Sequence, residues 1–251
     1  MQARDEKWLM VLNSGEPAKT RLICFPQTGA DPQQLRNWSM GLAGHIELVL
    51  VRLPGHGSRQ AEPPLDDWPR LLLDTFAALQ PLLAEPHALF GHGLGGMLAY
   101  ETAKRAQAQY PGQTRHLFIS ACRSPDHPSS RPLLHALATT PFHEAMLSLG
   151  ATPIQMPRDQ ASRNRYETLL RTDLKLFESW RDQSTGSLDI PLTALYGSED
   201  PLAPASNMAN WREFTRREFE LIEVAGNHFF IKSQRQRLLR IINTHLGLLG
   251  E

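Results

Sequence analysis

A surplus of charge of either sign is the first thing this chain lacks. Lysine plus arginine number 26 and aspartate plus glutamate 26, so the formal net charge is zero over 251 residues. A protein that holds nucleic acid through bulk charge needs a cationic excess, so this balance counts against that class. Long apolar runs are missing too. None approaches the roughly 20 residues of a membrane-spanning helix, and residues 1–7 are polar, without the apolar stretch of a secretory leader. No membrane partner and a cytoplasmic location are therefore expected. Cysteine is scarce: Cys24 and Cys122 both sit in apolar stretches that read as strands, so reduced, buried thiols are expected. No His/Cys cluster suggests a metal, and no cofactor is expected. Repeats and low-complexity tracts are absent as well.

What is present is an alternation of strands and helices. Apolar runs at 8–12, 21–26, 46–54, 87–92, 116–122, 192–197 and 219–224 read as strands, several of them nearly continuously apolar, as strands covered on both faces should be. Between them, residues 67–84 place Trp68, Leu71, Leu72, Phe76, Leu79 and Leu83 on one side of a helix. A second helix is expected over 94–109, and a last one over 234–249 with Leu238, Leu239, Ile241, Ile242 and Leu246. The pattern predicts an α/β domain with a mostly parallel sheet. With 41% hydrophobic residues, the chain is expected to form one domain over 1–251 with a sizeable core.

Residues 123–189 break this rhythm, being too long for a structureless loop. Thr140-Pro141 reads as an N-cap with proline at the first helical position, and Tyr166, Leu169, Leu170, Leu174, Phe177 and Trp180 recur at helical spacing. These helices could simply be core. Their place in the chain favours a helical lid at about 125–185 over an active site.

The stretch "LFGHGLGGMLAYE" (89–101) joins a strand to a helix through Gly91-His92-Gly93-Leu94-Gly95. That is the geometry of a nucleophile elbow, a turn so sharp that flanking side chains would collide. Alone the signal is weak, since glycine-rich turns also bind phosphates. No lysine follows in P-loop register, however, and the later glycines fit a dinucleotide fingerprint poorly. Two further stretches carry the argument. Asp200, in "ALYGSEDPLAP", and His228, in "VAGNHFFI", each lie just past a strand end. Elbow, then Asp, then His is the chain order of α/β-hydrolases, with His228 as general base and Asp200 holding its tautomer.

At this point the sequence resembles the type II thioesterases of nonribosomal peptide and polyketide synthesis. "ICFPQTGAD", "VRLPGHGSRQAEPPLDD" (with His56 where arginine is usual), the elbow, "LLRTDLKLFESW" and "GNHFFI" match that family in order, from about residue 21 to 232. The resemblance implies an α/β-hydrolase fold, and a monomer is expected. It implies hydrolysis of stalled or aberrant acyl groups from the phosphopantetheine arm of carrier proteins, which are the expected partners. The oxyanion would be held by the N–H of Leu94 and of a residue in the loop after "ICFP", Thr28 or Gln27. The departure is Gly93, where the family has serine or sometimes cysteine, and no Gly-x-Ser-x-Gly exists elsewhere in the chain. Either a serine has been replaced to inactivate the protein, or this is a natural variant without its nucleophile. In both cases the chain as written should hydrolyse slowly or not at all. A non-catalytic carrier-binding protein and a carboxylesterase on the same fold are the alternative readings.

Overall fold

The structure is a computed structural model that describes residues 3–12, 18–127, 133–149, 159–182 and 186–247. Its strands are β1 (Leu9–Leu12), β2 (Thr20–Phe25), β3 (Ile46–Val51), β4 (His87–His92), β5 (Thr114–Ser120), β6 (Leu192–Gly197) and β7 (Phe219–Val224). They form one sheet in the order β1-β3-β2-β4-β5-β6-β7. Only β1 is antiparallel to its neighbour; the other pairings are parallel. The helices are α1 (Ala3–Trp8), α2 (Trp68–Leu83), α3 (Leu94–Gln109), α4 (Thr139–Ser148), α5 (Gln160–Ser179), α6 (Ala205–Ala209), α7 (Phe230–Ser233) and α8 (Arg235–Gly247). No helix among the described residues is long and apolar enough to cross a membrane.

The residue patterns explain the layering. Every residue of β4 is buried, as are five of six in β2 and in β3. Such strands need cover on both faces, which the crossover helices supply. α3 carries Ala99, Ala103 and Ala106 among its buried residues. Small side chains there let it lie close against β4 and β5. α2 begins where the sequence says it should: Asp67 accepts the Arg70 N–H at 2.9 Å, and Pro69 stands in the first turn. α5 is capped the same way by Asp159, which accepts the Ser162 N–H at 2.8 Å.

Several boundaries differ from expectation for physical reasons. β2 ends at Phe25 because Pro26 has no N–H to give the ladder, and β3 ends at Val51, ahead of Pro54. β5 ends at Ser120, so Cys122 lies two residues past its strand, though it is buried and free, as is Cys24 within β2. Thr140-Pro141 does not start α4. Ala138 is the N-cap and Pro141 falls in the first turn, where its missing N–H costs nothing. Residues 248–249 of the last expected helix lie outside the described residues, as do 128–132, 150–158 and 183–185 of the expected lid.

The helices between β5 and β6 carry apolar contacts of their own. Phe142, Leu170 and Leu174 form a buried cluster apart from the main core, with Leu134, Leu137, Met146 and Tyr166 packed around it. Three ties fix α5 to its surroundings. Trp68 Nε1 donates to Leu176 O at 2.8 Å, Trp180 Nε1 donates to Glu101 Oε1 at 3.1 Å, and Glu178 accepts the Leu134 N–H at 2.7 Å.

Candidate active site

Ligands of open parallel sheets bind beyond the C-terminal ends of the strands, near the point where strand order reverses. Here the chain passes from β3, across β2, to β4. The loops after β2, β4, β6 and β7 carry Gln27 and Thr28, Gly93, Asp200 and His228 respectively.

The turn after β4 is as tight as the sequence implies. A Cβ on Gly91 would lie 1.9 Å from the Gly95 carbonyl oxygen, and a Cβ on Gly95 would lie 2.6 Å from that of Phe25. Neither neighbour can move, since both are backbone, so only glycine fits. Gly93 has φ 54° and ψ −119°, in a region that side-chain-bearing residues enter only under strain. Its N–H is tied to Ser120 O at 2.9 Å, which fixes the turn to the end of β5. A Cβ there would have open space, meeting only His228 Nε2 at 3.8 Å. A hydroxyl one bond further out comes within hydrogen-bond reach of that nitrogen.

His228 and Asp200 meet as expected. The Asp200 carboxylate accepts the His228 Nδ1–H at 2.8 Å, and its other oxygen accepts the Leu202 and Ala203 N–H groups at 2.8 and 3.3 Å. Burial pushes the Asp200 carboxyl up, but the hydrogen bond and charge of His228 and the two backbone donors outweigh it. The net shift is below the ordinary value. The carboxylate thus stays ionised and accepts the Nδ1–H, which leaves His228 Nε2 on the side that faces position 93.

His92 has a role that the elbow motif does not show. Its Nε2 lies 2.8 Å from His228 O and its Nδ1 2.9 Å from Ser120 Oγ. A carbonyl can only accept, so Nε2 carries the proton and Nδ1 accepts from the serine hydroxyl. Burial, then the nearby His228, pushes His92 down to about 3, so it stays neutral. It braces the His228 backbone against the end of β5. Nothing in the letters marks this, because the partners lie 136 and 28 residues away.

Leu94 opens α3, so its N–H belongs to the helix's unpaired first turn. In the loop after β2, the Gly29 N–H is taken by Asp173 at 2.7 Å. The preceding amides, Thr28 and Gln27, remain the loop's candidates, and both residues line the same cavity as Gly93 and His228. That cavity measures about 80 Å³, and Met146, Leu149, Leu174 and Phe177 of the helical insertion form its apolar wall. The arrangement offers a hydrogen-bond base, an ionised partner behind it, and backbone donors at a helix start. Those are the parts of acyl transfer through a nucleophile at position 93, with glycine in that place.

Comparison with known proteins agrees. The family model for the thioesterase domain matches residues 20–246. The thioesterase PikA5 of Streptomyces venezuelae is 30% identical over 240 residues, which cover 95% of this chain and 85% of PikA5. Among solved structures, RedJ, a thioesterase of the prodiginine pathway of Streptomyces coelicolor, superposes with a TM-score of 0.84 at 33% identity, covering 92% of this chain and 89% of RedJ. BorB, a type II thioesterase from the borrelidin cluster, does so at 0.82 and 29%, covering 95% and 97%. With the sheet order, the elbow and these matches in hand, the chain belongs to the thioesterase family, on the α/β-hydrolase fold.

Proposed function

We propose that this chain is a type II thioesterase scaffold for carrier-bound acyl groups of nonribosomal peptide or polyketide synthesis, lacking its nucleophile at position 93. The carrying observation is the alignment of Asp200, His228 and the open space at Gly93, where a Cβ would lie 3.8 Å from His228 Nε2. With serine in that space, His228 would take the hydroxyl proton as the oxygen attacks the thioester carbonyl. The oxyanion would form against the N–H of Leu94 and of Thr28 or Gln27, and the thiolate of the arm would leave with the proton from His228. A water would then repeat the sequence on the acyl-enzyme and free the acid. The editing role, removal of stalled acyl groups from a cytoplasmic assembly line, belongs to this same reading.

The helical insertion serves as a lid in this proposal. A cavity of about 80 Å³ is well below the several hundred Å³ that substrates of this size occupy. The insertion must therefore move to admit an acyl-pantetheine arm. A separate groove of about 390 Å³ shares Gln27 with the cavity and is also lined by Lys232 and Arg235.

Gly93 favours a second reading, a natural binding protein that holds acyl carriers without hydrolysing them. Both readings expect the chain as it stands to bind a holo carrier more tightly than its apo form, because the arm supplies the buried contact. Calorimetric titration of the two forms checks this. With zero net charge on the chain, the affinity should be weak and only modestly sensitive to salt. Equal binding of holo and apo carriers would remove the substrate assignment from both readings. Hydrolysis of oxygen esters in preference to thioesters by the Gly93→Ser variant would favour the carboxylesterase.

A further inference from the structure

His56 and Asp173 form a buried pair with no part in the mechanism above. They come from distant segments, the loop after β3 and the middle of α5, and both side chains are almost wholly buried. His56 Nε2 lies 2.9 Å from Asp173 Oδ2, and His56 Nδ1 lies 3.0 Å from Pro54 O. Both facing atoms are acceptors. A neutral imidazole has one N–H and can serve only one of them, so the full set of bonds requires the imidazolium. The same Asp173 oxygen accepts the Gly29 N–H at 2.7 Å. Gly29 is the residue next to Thr28, in the loop that supplies the second oxyanion donor under the proposed function.

We infer that Asp173 is a positioning residue that holds the oxyanion loop to α5, and that His56 makes this hold depend on pH. The inference rests on the thioesterase reading for its effect on turnover, but not for the latch itself. One carboxylate joins three segments: the loop after β2, the loop after β3 and the helix that covers the site. Losing the second proton of His56 forces it to give up either Pro54 or Asp173, and Asp173 then keeps an uncompensated buried charge.

The surrounding groups agree with a charged His56. Burial opposes its charge, but Asp173 by charge and hydrogen bond, then Pro54 O and Asp31, outweigh it and raise its pKa above the ordinary value. Asp31 belongs to the oxyanion loop's own segment. Among the described residues, Tyr166 on α5 also faces the pair; burial and then the Asp173 charge push its hydroxyl up. The sign follows from the raised value. The latch is complete below the ordinary histidine range and is lost as pH rises through the raised pKa of His56. Arginine at this position, the residue usual in the resembling family, would carry its charge throughout and give no such dependence.

Nitrogen-15 NMR of the chain as it stands reads the latch without catalysis. At about pH 7 both His56 ring nitrogens should be protonated, and they should titrate above the ordinary value of about 6.5. The Gly29 amide signal should shift with the same midpoint, and His56→Arg should abolish that shift. A neutral His56 at about pH 7, or a Gly29 amide that ignores its titration, overturns the inference. In a Gly93→Ser background, turnover of an acyl-pantetheine should fall as pH rises through that midpoint, with kcat affected and KM held. His56→Arg should remove the fall, and Asp173→Asn should lower kcat by about 10²-fold, the scale of a misplaced reacting group. Turnover that ignores the midpoint in an active Gly93→Ser variant overturns the link to the oxyanion loop. If Gly93→Ser hydrolyses no thioester, the proposed function fails and the NMR result alone decides the latch.

Discussion

Gly93→Ser is expected to raise turnover of an acyl-pantetheine thioester by about 10³-fold or more. The reasoning is geometric. The turn already holds φ 54° and ψ −119°, a Cβ there meets nothing closer than His228 Nε2 at 3.8 Å, and that nitrogen is turned toward it by Asp200. The hydroxyl is therefore the only part to be added. The chain as it stands should keep a residual rate, since the oxyanion donors remain and His228 can activate a water. In serine hydrolases stripped of a triad member, about 10³–10⁴-fold acceleration over water survives. Stability should move the other way. Glycine relaxes the strained elbow, and serine should cost about 1 kcal/mol there. Rates on one substrate, with melting curves of both variants, test the two statements together. An inert Gly93→Ser variant on every thioester offered would leave the carrier-binding reading standing.

The second large effect concerns the pair behind that serine. In the Gly93→Ser background, His228→Ala should lower kcat by about 10³-fold or more, because among the described residues His228 Nε2 is what a side chain at position 93 meets. Asp200→Asn should cost about 10⁴-fold, by presenting the wrong tautomer of His228 to the site. The amide can donate to Nδ1, so Nε2 would hold the proton and lose its basicity toward position 93. Single-turnover measurements separate chemistry from binding. Near-normal rates in either variant would end its assigned role.

Much of this site was legible in the sequence, and the reason lies in where its residues sit. Gly93, Asp200 and His228 lie one, three and four residues past the ends of β4, β6 and β7, so strand ends locate them in order along the chain. β4, β6 and β7 were bounded to the residue because glycine or polar residues close each run. The 3-10 helix Pro32–Met40 leaves no periodic signal in the sequence, although Asp31 accepting the Gln33 N–H ahead of Pro32 marks its start. Its apolar residues follow neither a strand nor an α period. The His92 brace and the His56–Asp173 latch were beyond reach in a different way. Their partners lie 117 and 136 residues apart, and no local period carries such a distance. The family resemblance singles out His56 but not Asp173; only the packing of α5 over the two loops makes them a pair.

The burial of both cysteines has a practical consequence. Cys24 is held protonated by complete burial, and the Cys122 thiol is pushed up to about 12. Neither offers a thiolate to reagents while the chain is folded. A Gly93→Cys variant would therefore carry a single reactive sulfur, placed beside His228. A small alkylating agent should label it once per chain and leave the parent untouched, with intact-mass spectrometry as the readout. Such a handle would let an acyl-pantetheine analogue be tethered at the elbow, so that the covered state of the site could be trapped and counted molecule by molecule.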